Sequence, residues 1–399
     1  MPIRPILASL RHHKLAAGLV ILEIAVACAI LCNAVFLIRD RLARMHTITG
    51  IAESELVWVK TDGVGGDGAA SLVERNLAAL RGLAGVKSAV VMFPLPLSNS
   101  SMNFNPTLDA DGTKEGPNVV MYIGTPGYVD TLGLHLQEGR DFNDADFGSM
   151  ASWMPRSPAI IVTRTLAERL WPGQKALGQA FWIDKSRYSV IGVVDHLVRG
   201  EMRGESTEYA AMFAAQPNEM LSSLYVLRVA PQARDRVVRD AVDTLVRLNP
   251  QMLIRDKGTY AEMRADYFKQ DAAMAWLLVT VCVALLVITA LGIVGLASFW
   301  VAQRRRQIGI RRAIGATRSD ILHYFQAENF LIVTAGIVLG MVLAYAINLL
   351  LMQHYELPRL PWPYLPLGAL VLWLLGQLAV LGPALRAAAV PPVVATRSV

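Results

Sequence analysis

Six arginines and a single acid, Asp320, occupy the stretch Gln303 to Leu322, read as QRRRQIGIRRAIGATRSDIL. Guanidinium groups in that density suit electrostatic recognition of a partner rather than covalent chemistry. Uncharged runs end just before this stretch at Ala302 and begin just after it at Asn329. A basic segment between two membrane-length apolar runs reads as a cytoplasmic loop. Helical spacing sets Ile308, Ala313 and Ile314 to share one face, with Arg304, Arg311, Arg312 and Arg318 pointing elsewhere.

The other residue able to do chemistry is Glu23, the one charge inside the apolar run Leu15 to Ile38. It lies roughly 13 Å along a helix axis from Lys14. A carboxylate at that depth is costly unless it is protonated, paired or hydrated. Two readings stand: a bundle-facing group at a moving interface, or a protonated side chain hydrogen-bonded to a neighbouring helix.

Other chemistry finds little support. The glycine-rich GVGGDG of Gly63 to Gly68 lacks the Lys-Ser/Thr ending of a phosphate-binding loop. Asp141, Asp144 and Asp146 lack the glycine and terminal glutamate of a calcium loop. His135 and His196 stand singly, without the company that catalysis needs. Cys28, Cys32 and Cys282 all lie in apolar runs and read as packing residues. No catalytic, metal or cofactor-binding residue is therefore assigned.

Composition says what must position the arginines. The 399 residues are 54% hydrophobic and 18% charged, against about a quarter charged in soluble domains. From Arg39 to Asp271 there are 26 Lys/Arg and 28 Asp/Glu, while the rest of the chain holds 12 and 4. The basic excess therefore flanks the apolar runs, and the near-neutral central region argues against nucleic acid as a partner.

The fold class expected is an α-helical membrane protein with four transmembrane helices. A large α+β extracytoplasmic domain is inserted between the first and second. Residues 1–14 form a cytoplasmic amphipathic segment lying on membrane lipids. Spans follow at 15–38, 272–302, 329–352 and 365–385, each near the 20 or so residues a bilayer requires. The second span is read as the end of one unbroken helix, a stalk that begins at about 259. Gly292 and Gly295 within it, and Gly336 and Gly340 in the third span, are candidate points of close helix packing. The coupling segment is 303–322 and the cytoplasmic tail 386–399. Three basic stretches on one side place both termini in the cytoplasm of an inner (plasma) membrane protein.

Within 39–271, Leu56 to Phe93 and Leu224 to Arg255 each read β-α-β. They are expected to pair into a discontinuous subdomain (39–117 with 217–258), with 118–216 inserted as a second. Pro94 to Pro117, rich in Pro, Ser, Asn and Gly, reads as a long exposed loop.

The chain resembles the FtsX-like permease family, specifically the four-helix MacB-type permeases of ABC transporters. The resemblance covers nearly the whole chain. Its most specific part is Arg304 to Thr317, RRRQIGIRRAIGAT, which is similar to the family's R-x-x-E-I-G-[IL]-R-[RK]-A-[LI]-G-A. Thr125-Pro126-Gly127-Tyr128, Gly139-Arg140-Asp141-Phe142, Leu166 to Gly173 and Pro383 to Ala388 also match. The resemblance assigns ATPase coupling to Arg305, Ile308, Gly309, Ile310, Arg311, Arg312, Ala313, Ile314, Gly315 and Ala316. It implies a separate ABC ATPase subunit that uses the ATP, and no enzyme activity in this chain. It also implies a homodimer or a heterodimer with a sister permease, a periplasmic adaptor as a further partner, and export of a peptide, drug-like or lipid-linked substrate. The alternative is a transmembrane signalling subunit that regulates an extracytoplasmic partner. Gln307 stands where the family usually has Glu, so hydrogen bonding can survive there and a salt bridge cannot.

Overall fold

In a computed structural model, residues 14–63, 68–151, 153–202, 206–355 and 361–389 are described. The surface segment expected at 1–14, apart from Lys14, and the tail beyond 389 lie outside them. The chain forms two units: residues 1–46 with 271–399, and Thr47–Gln270.

The first helix, α1 (Lys14–Met45), outruns its apolar stretch. An Asp40–Arg44 pair at i,i+4 (2.5 Å) and an Arg41–Asp271 ion pair carry the helix past Ile38. The boundary expected at 39 is therefore corrected to 47.

In chain order the α/β unit holds β1 (Leu56–Thr61), α2 (Ala69–Arg81), β2 (Val86–Phe93), β3 (Asn103–Phe104), β4 (Val119–Gly124) and α3 (Tyr128–Leu132). Next come β5 (Leu136–Gly139), β6 (Met150–Ala151), β7 (Met154–Pro155), β8 (Ala159–Thr163), α4 (Arg164–Leu170), β9 (Ala180–Ile183) and β10 (Ser186–Val194). It ends with β11 (Ala210–Ala214), β12 (Leu224–Val229), α5 (Arg234–Leu248), β13 (Ile254–Thr259) and α6 (Tyr260–Tyr267).

One mixed sheet runs β13-β1-β12-β2-β4-β11-β8-β10-β5. Its first four strands interlace the two β-α-β halves, because β12 lies between β1 and β2 and is antiparallel to both. Alternation along β1 sends Val57 and Val59 into the core shared with Val73 and Leu77 of α2 and with Val237 and Leu245 of α5.

The inserted strands join this half at a short β2–β4 pairing, Met92–Gly124 and Phe93–Ile123, extended by the bond from Thr125 N–H to the Val91 carbonyl (2.9 Å). One apolar core spans the junction, so the two expected subdomains share a sheet and a core. The stretch 94–117 is also corrected. Leu95 and Leu97 are fully buried, and the Phe104 ring packs 5.7 Å from Phe181 and 5.8 Å from Phe213.

The unbroken stalk is not formed. Thr259 and Glu262 make a capping box that starts α6, with Glu262 N–H donating to Thr259 Oγ1 (3.2 Å) and Thr259 N–H to Glu262 Oε2 (2.8 Å). That helix ends at Tyr267, Phe268 leaves helical geometry, and a separate helix begins at Lys269.

The remaining helices are α7 (Lys269–Gln303), α8 (Arg305–Ala313), α9 (Arg318–Tyr355) and α10 (Tyr364–Ala388). With α1, helices α7, α9 and α10 are the four long and apolar enough to cross a membrane among the described residues. The third span expected at 329–352 is thus the greater part of a helix that already begins at Arg318.

Helices α1, α9 and α10 close tightly on one another. A Cβ at Gly336 would lie 2.7 Å from the Ile24 side chain, and one at Gly340 would lie 2.5 Å from Cys28 Cβ and 2.7 Å from the Ala25 carbonyl. Polar staples add to this seam: Asn33 Nδ2 donates to the Ala344 carbonyl (3.1 Å) and Asn329 Nδ2 to the Gly376 carbonyl (2.9 Å). Gly340→Leu is expected to push α1 off α9, because one obstructing group is backbone. The loss should exceed that of Gly382→Leu, where a Cβ meets nothing within 4 Å. Thermal unfolding of the detergent-solubilised variants checks the ranking.

Helix α7 is held differently. Its buried residues (Ala275, Cys282, Thr289, Ile293, Ala297 and Trp300) trace one narrow stripe, while Trp276, Leu277 and Leu291 stay more than half exposed.

Candidate functional site

The basic stretch folds into a short helix locked to three of its neighbours. Arg304, between α7 and α8, donates to both Glu328 carboxylate oxygens (3.0 and 2.9 Å), with 13% of the arginine and 1% of the glutamate side chain exposed. The guanidinium also lies 5.5 Å from the Trp300 ring. This pair ties the end of α7 to α9.

Ile308 is the apolar anchor, packing into a cluster with Ile321 and Phe325 of α9 and with Ala384, Ala387 and Ala388 of α10. Gly309 beside it is buried as well. Arg312 Nη1 donates to the Ala388 carbonyl (3.1 Å), and Arg311 lies 4.9 Å over the Tyr324 ring.

The end of α8 follows from Gly315. Its φ of +108° is open to glycine and strained for other residues. There Ala316 N–H reaches the Arg311 carbonyl (3.0 Å) and Gly315 N–H the Arg312 carbonyl (3.2 Å), the paired bonds of a Schellman motif. Thr317 then caps α9 reciprocally with Asp320 (2.9 and 3.2 Å). In sequence terms, Gly-Ala-Thr-Arg-Ser-Asp is a stop followed by a start.

One expectation is corrected. Ile308 is buried, but Ala313 and Ile314 do not share its face. Ile314 is 82% exposed and Ile310 43%, with Arg305, Arg306 and Gln307 exposed beside them. The helix therefore shows outward an apolar ridge within a field of arginines, and α8 itself carries no acid. Helical spacing from Ile310 through Ala313 to Ile314 carried that signal. Choosing Ile308 as the start of the stripe hid it.

Within the bundle, Glu23 meets α7 at Gly292, where a Cβ would stand 2.6 Å from its Oε2. Glu23 Oε1 is buried without a hydrogen-bond partner among the described residues. Among the described residues that oxygen does not make the bond to a neighbouring helix that one of the two readings of Glu23 expects. Gly295 faces open space: a Cβ there would meet nothing within 4 Å, so the packing role expected of it finds no neighbour among the described residues.

These features define an α-helical membrane protein with a large α+β domain between its first two spans and an anchored basic helix between its second and third. Residues 19–250, more than half of the chain, match the family model of the MacB-like periplasmic core domain, and residues 279–392 match that of the FtsX-like permease C-terminal region. The chain belongs to this FtsX-like, MacB-type family of ABC transporter permeases, which places it in a membrane with a periplasmic domain.

Among its relatives is an uncharacterized ABC transporter permease, YknZ, of Bacillus subtilis (strain 168). The two are 25% identical over 336 residues, covering 82% of this chain and 79% of that protein. The macrolide export ATP-binding/permease protein MacB 1/2 of Paracoccus denitrificans (strain Pd 1222) is 26% identical over 358 residues. That match covers 87% of this chain and 51% of the relative, so this chain spans about half of that protein. Among solved structures, the periplasmic region of MacB from Actinobacillus actinomycetemcomitans aligns with TM-score 0.36 and 16% identity, over 57% of this chain and 96% of that one.

Proposed function

We propose that this permease receives motion from a separate ATP-binding subunit at α8 and transmits it across the membrane to the periplasmic domain, driving export. The observation that carries this reading is the outward ridge of Ile310 and Ile314 among arginines, on a helix pinned to α7, α9 and α10. A partner seated on that ridge displaces all three helices, because α8 cannot shift alone without breaking the Arg304–Glu328 pair or the Ile308 cluster.

Work on the outer face fits better than a polar pore. The polar side chains available inside the bundle are few, and the Asn33 NH2 already donates to the Ala29 and Ala344 carbonyls. The cargo class is a peptide, drug-like or lipid-linked molecule, in keeping with the macrolide export named for the Paracoccus relative. Two permeases pair, as a homodimer or with a sister chain, and a periplasmic adaptor passes the cargo on. Both termini lie in the cytoplasm, and ATP is hydrolysed by the partner.

The test is reconstitution in nanodiscs with a candidate ATP-binding subunit of an ABC transporter from the same source. The two should co-purify, and hydrolysis should rise several-fold over the ATPase alone. An ATPase that neither co-purifies nor responds to the permease ends this reading.

A further inference from the structure

Beneath α6 the α/β unit holds a cavity of about 190 Å³. It lies on the sheet face opposite α2 and α5, because Trp58 and Lys60 alternate with the core residues Val57 and Val59 along β1. The loop Leu97–Ser100 closes one side and α6 another. Trp58, Phe93 and Tyr267 give it aromatic walls. Two of these rings are fixed: Trp58 Nε1 donates to the Thr259 carbonyl (3.3 Å), and the Tyr267 hydroxyl accepts from Met202 N–H (2.8 Å).

The polar lining is uneven in sign. Lys60 and Asp256 are direct partners across β1 and β13, so their opposite charges face each other on adjacent strands. Asp266, from α6, has no ion-pair partner among the described residues and leaves the cavity net negative. Ser98 Oγ, also in the lining, is buried without a hydrogen-bond partner among the described residues. The flanking Leu97 and Asn99 both hold left-handed backbone (φ 58° and 54°), which side chains other than glycine adopt at a cost.

We infer that this cavity is a binding site for a compact organic cation, an ammonium group on a single ring. The volume takes about one ring, since an apolar cavity of roughly 150 Å³ holds a benzene. Aromatic faces attract cations, and Asp266, solvent-exposed at the rim, supplies the counter-charge. A purely apolar guest leaves the buried Ser98 Oγ unanswered, and an anion meets two carboxylates against one lysine. The site stands independently of the coupling proposed for α8. Occupancy bears on α6, which only Phe268 separates in the chain from the helix of the second span.

Saturation-transfer NMR on the full-length chain in nanodiscs, with empty nanodiscs as the blank, tests this with benzylamine, benzyl alcohol and benzoate. Benzylamine is expected to bind in the roughly millimolar range suited to so few atoms. Asp266→Asn should weaken it about tenfold and Lys60→Gln should tighten it. Benzyl alcohol and benzoate should give only the blank signal. Absence of benzylamine binding, undiminished binding to Asp266→Asn, or equal binding of benzoate or benzyl alcohol overturns the inference.

Discussion

Glu328→Ala is expected to destabilise the membrane unit by about 3–5 kcal/mol, the cost of breaking a buried ion pair by removing one of its charges. The glutamate is 1% exposed and takes both hydrogen bonds from one guanidinium nitrogen, so its loss removes the charge that faces Arg304, itself 13% exposed. The double variant Arg304→Met/Glu328→Leu should recover most of that stability, because it removes both charges and fills the space with apolar volume. Thermal unfolding in detergent distinguishes the cases. A double variant no more stable than Glu328→Ala assigns the loss to packing and removes the ion pair from the account. The ATPase response should fall even in the stable double variant, since α7 and α9 are then joined less firmly at the site of coupling.

The second large effect concerns the outward ridge. Ile310→Glu/Ile314→Glu should abolish stimulation of the ATP-binding subunit and its co-purification while leaving the unfolding temperature of the permease within a degree or two, as surface changes usually cost less than about 0.5 kcal/mol. Charge reversal at Arg311 and Arg312 is a less clean probe. Arg312 also holds the Ala388 carbonyl and Arg311 covers Tyr324, so that change weakens the anchor along with the surface. Retained stimulation in the isoleucine double variant moves the docking site off α8. The pair of experiments separates two roles: the positioning of the helix by Ile308 and Arg304, and the partner contact proposed for Ile310 and Ile314.

Most of this architecture was legible in the sequence, and the misses share a physical cause. Apolar runs announced the four spans, and the two stretches read as β-α-β hold β1-α2-β2 and β12-α5 with the start of β13. What periodicity could not reveal was long-range pairing. Asp40, Arg41 and Arg44 look like the end of a helix until their partners are known, and Asp271 lies far away in sequence. Leu95 and Leu97 sit among Pro, Ser and Asn, so composition spoke for a loop while tertiary packing buried them. The break at Phe268 has no proline or glycine to mark it. In the coupling helix, Gly315 and the Thr317–Asp320 cap were readable as a stop and a start. Which isoleucine faced inward was not, because Ile308, Ile310 and Ile314 differ in their neighbours and not in their type.

The narrow stripe that holds α7 has a consequence for how work divides within the bundle. Where Ile24 and Cys28 press on glycines of α9, sliding one helix against another means lifting backbone over side chains. A helix attached along so slender a seam meets fewer such obstacles, the close approach of Gly292 to Glu23 being one, and keeps much of its apolar surface outside the bundle. Helices α1, α9 and α10 are thereby suited to act as a stator. On the proposed function the second span is then the arm that moves, with Glu23 against Gly292 as the point where it meets α1.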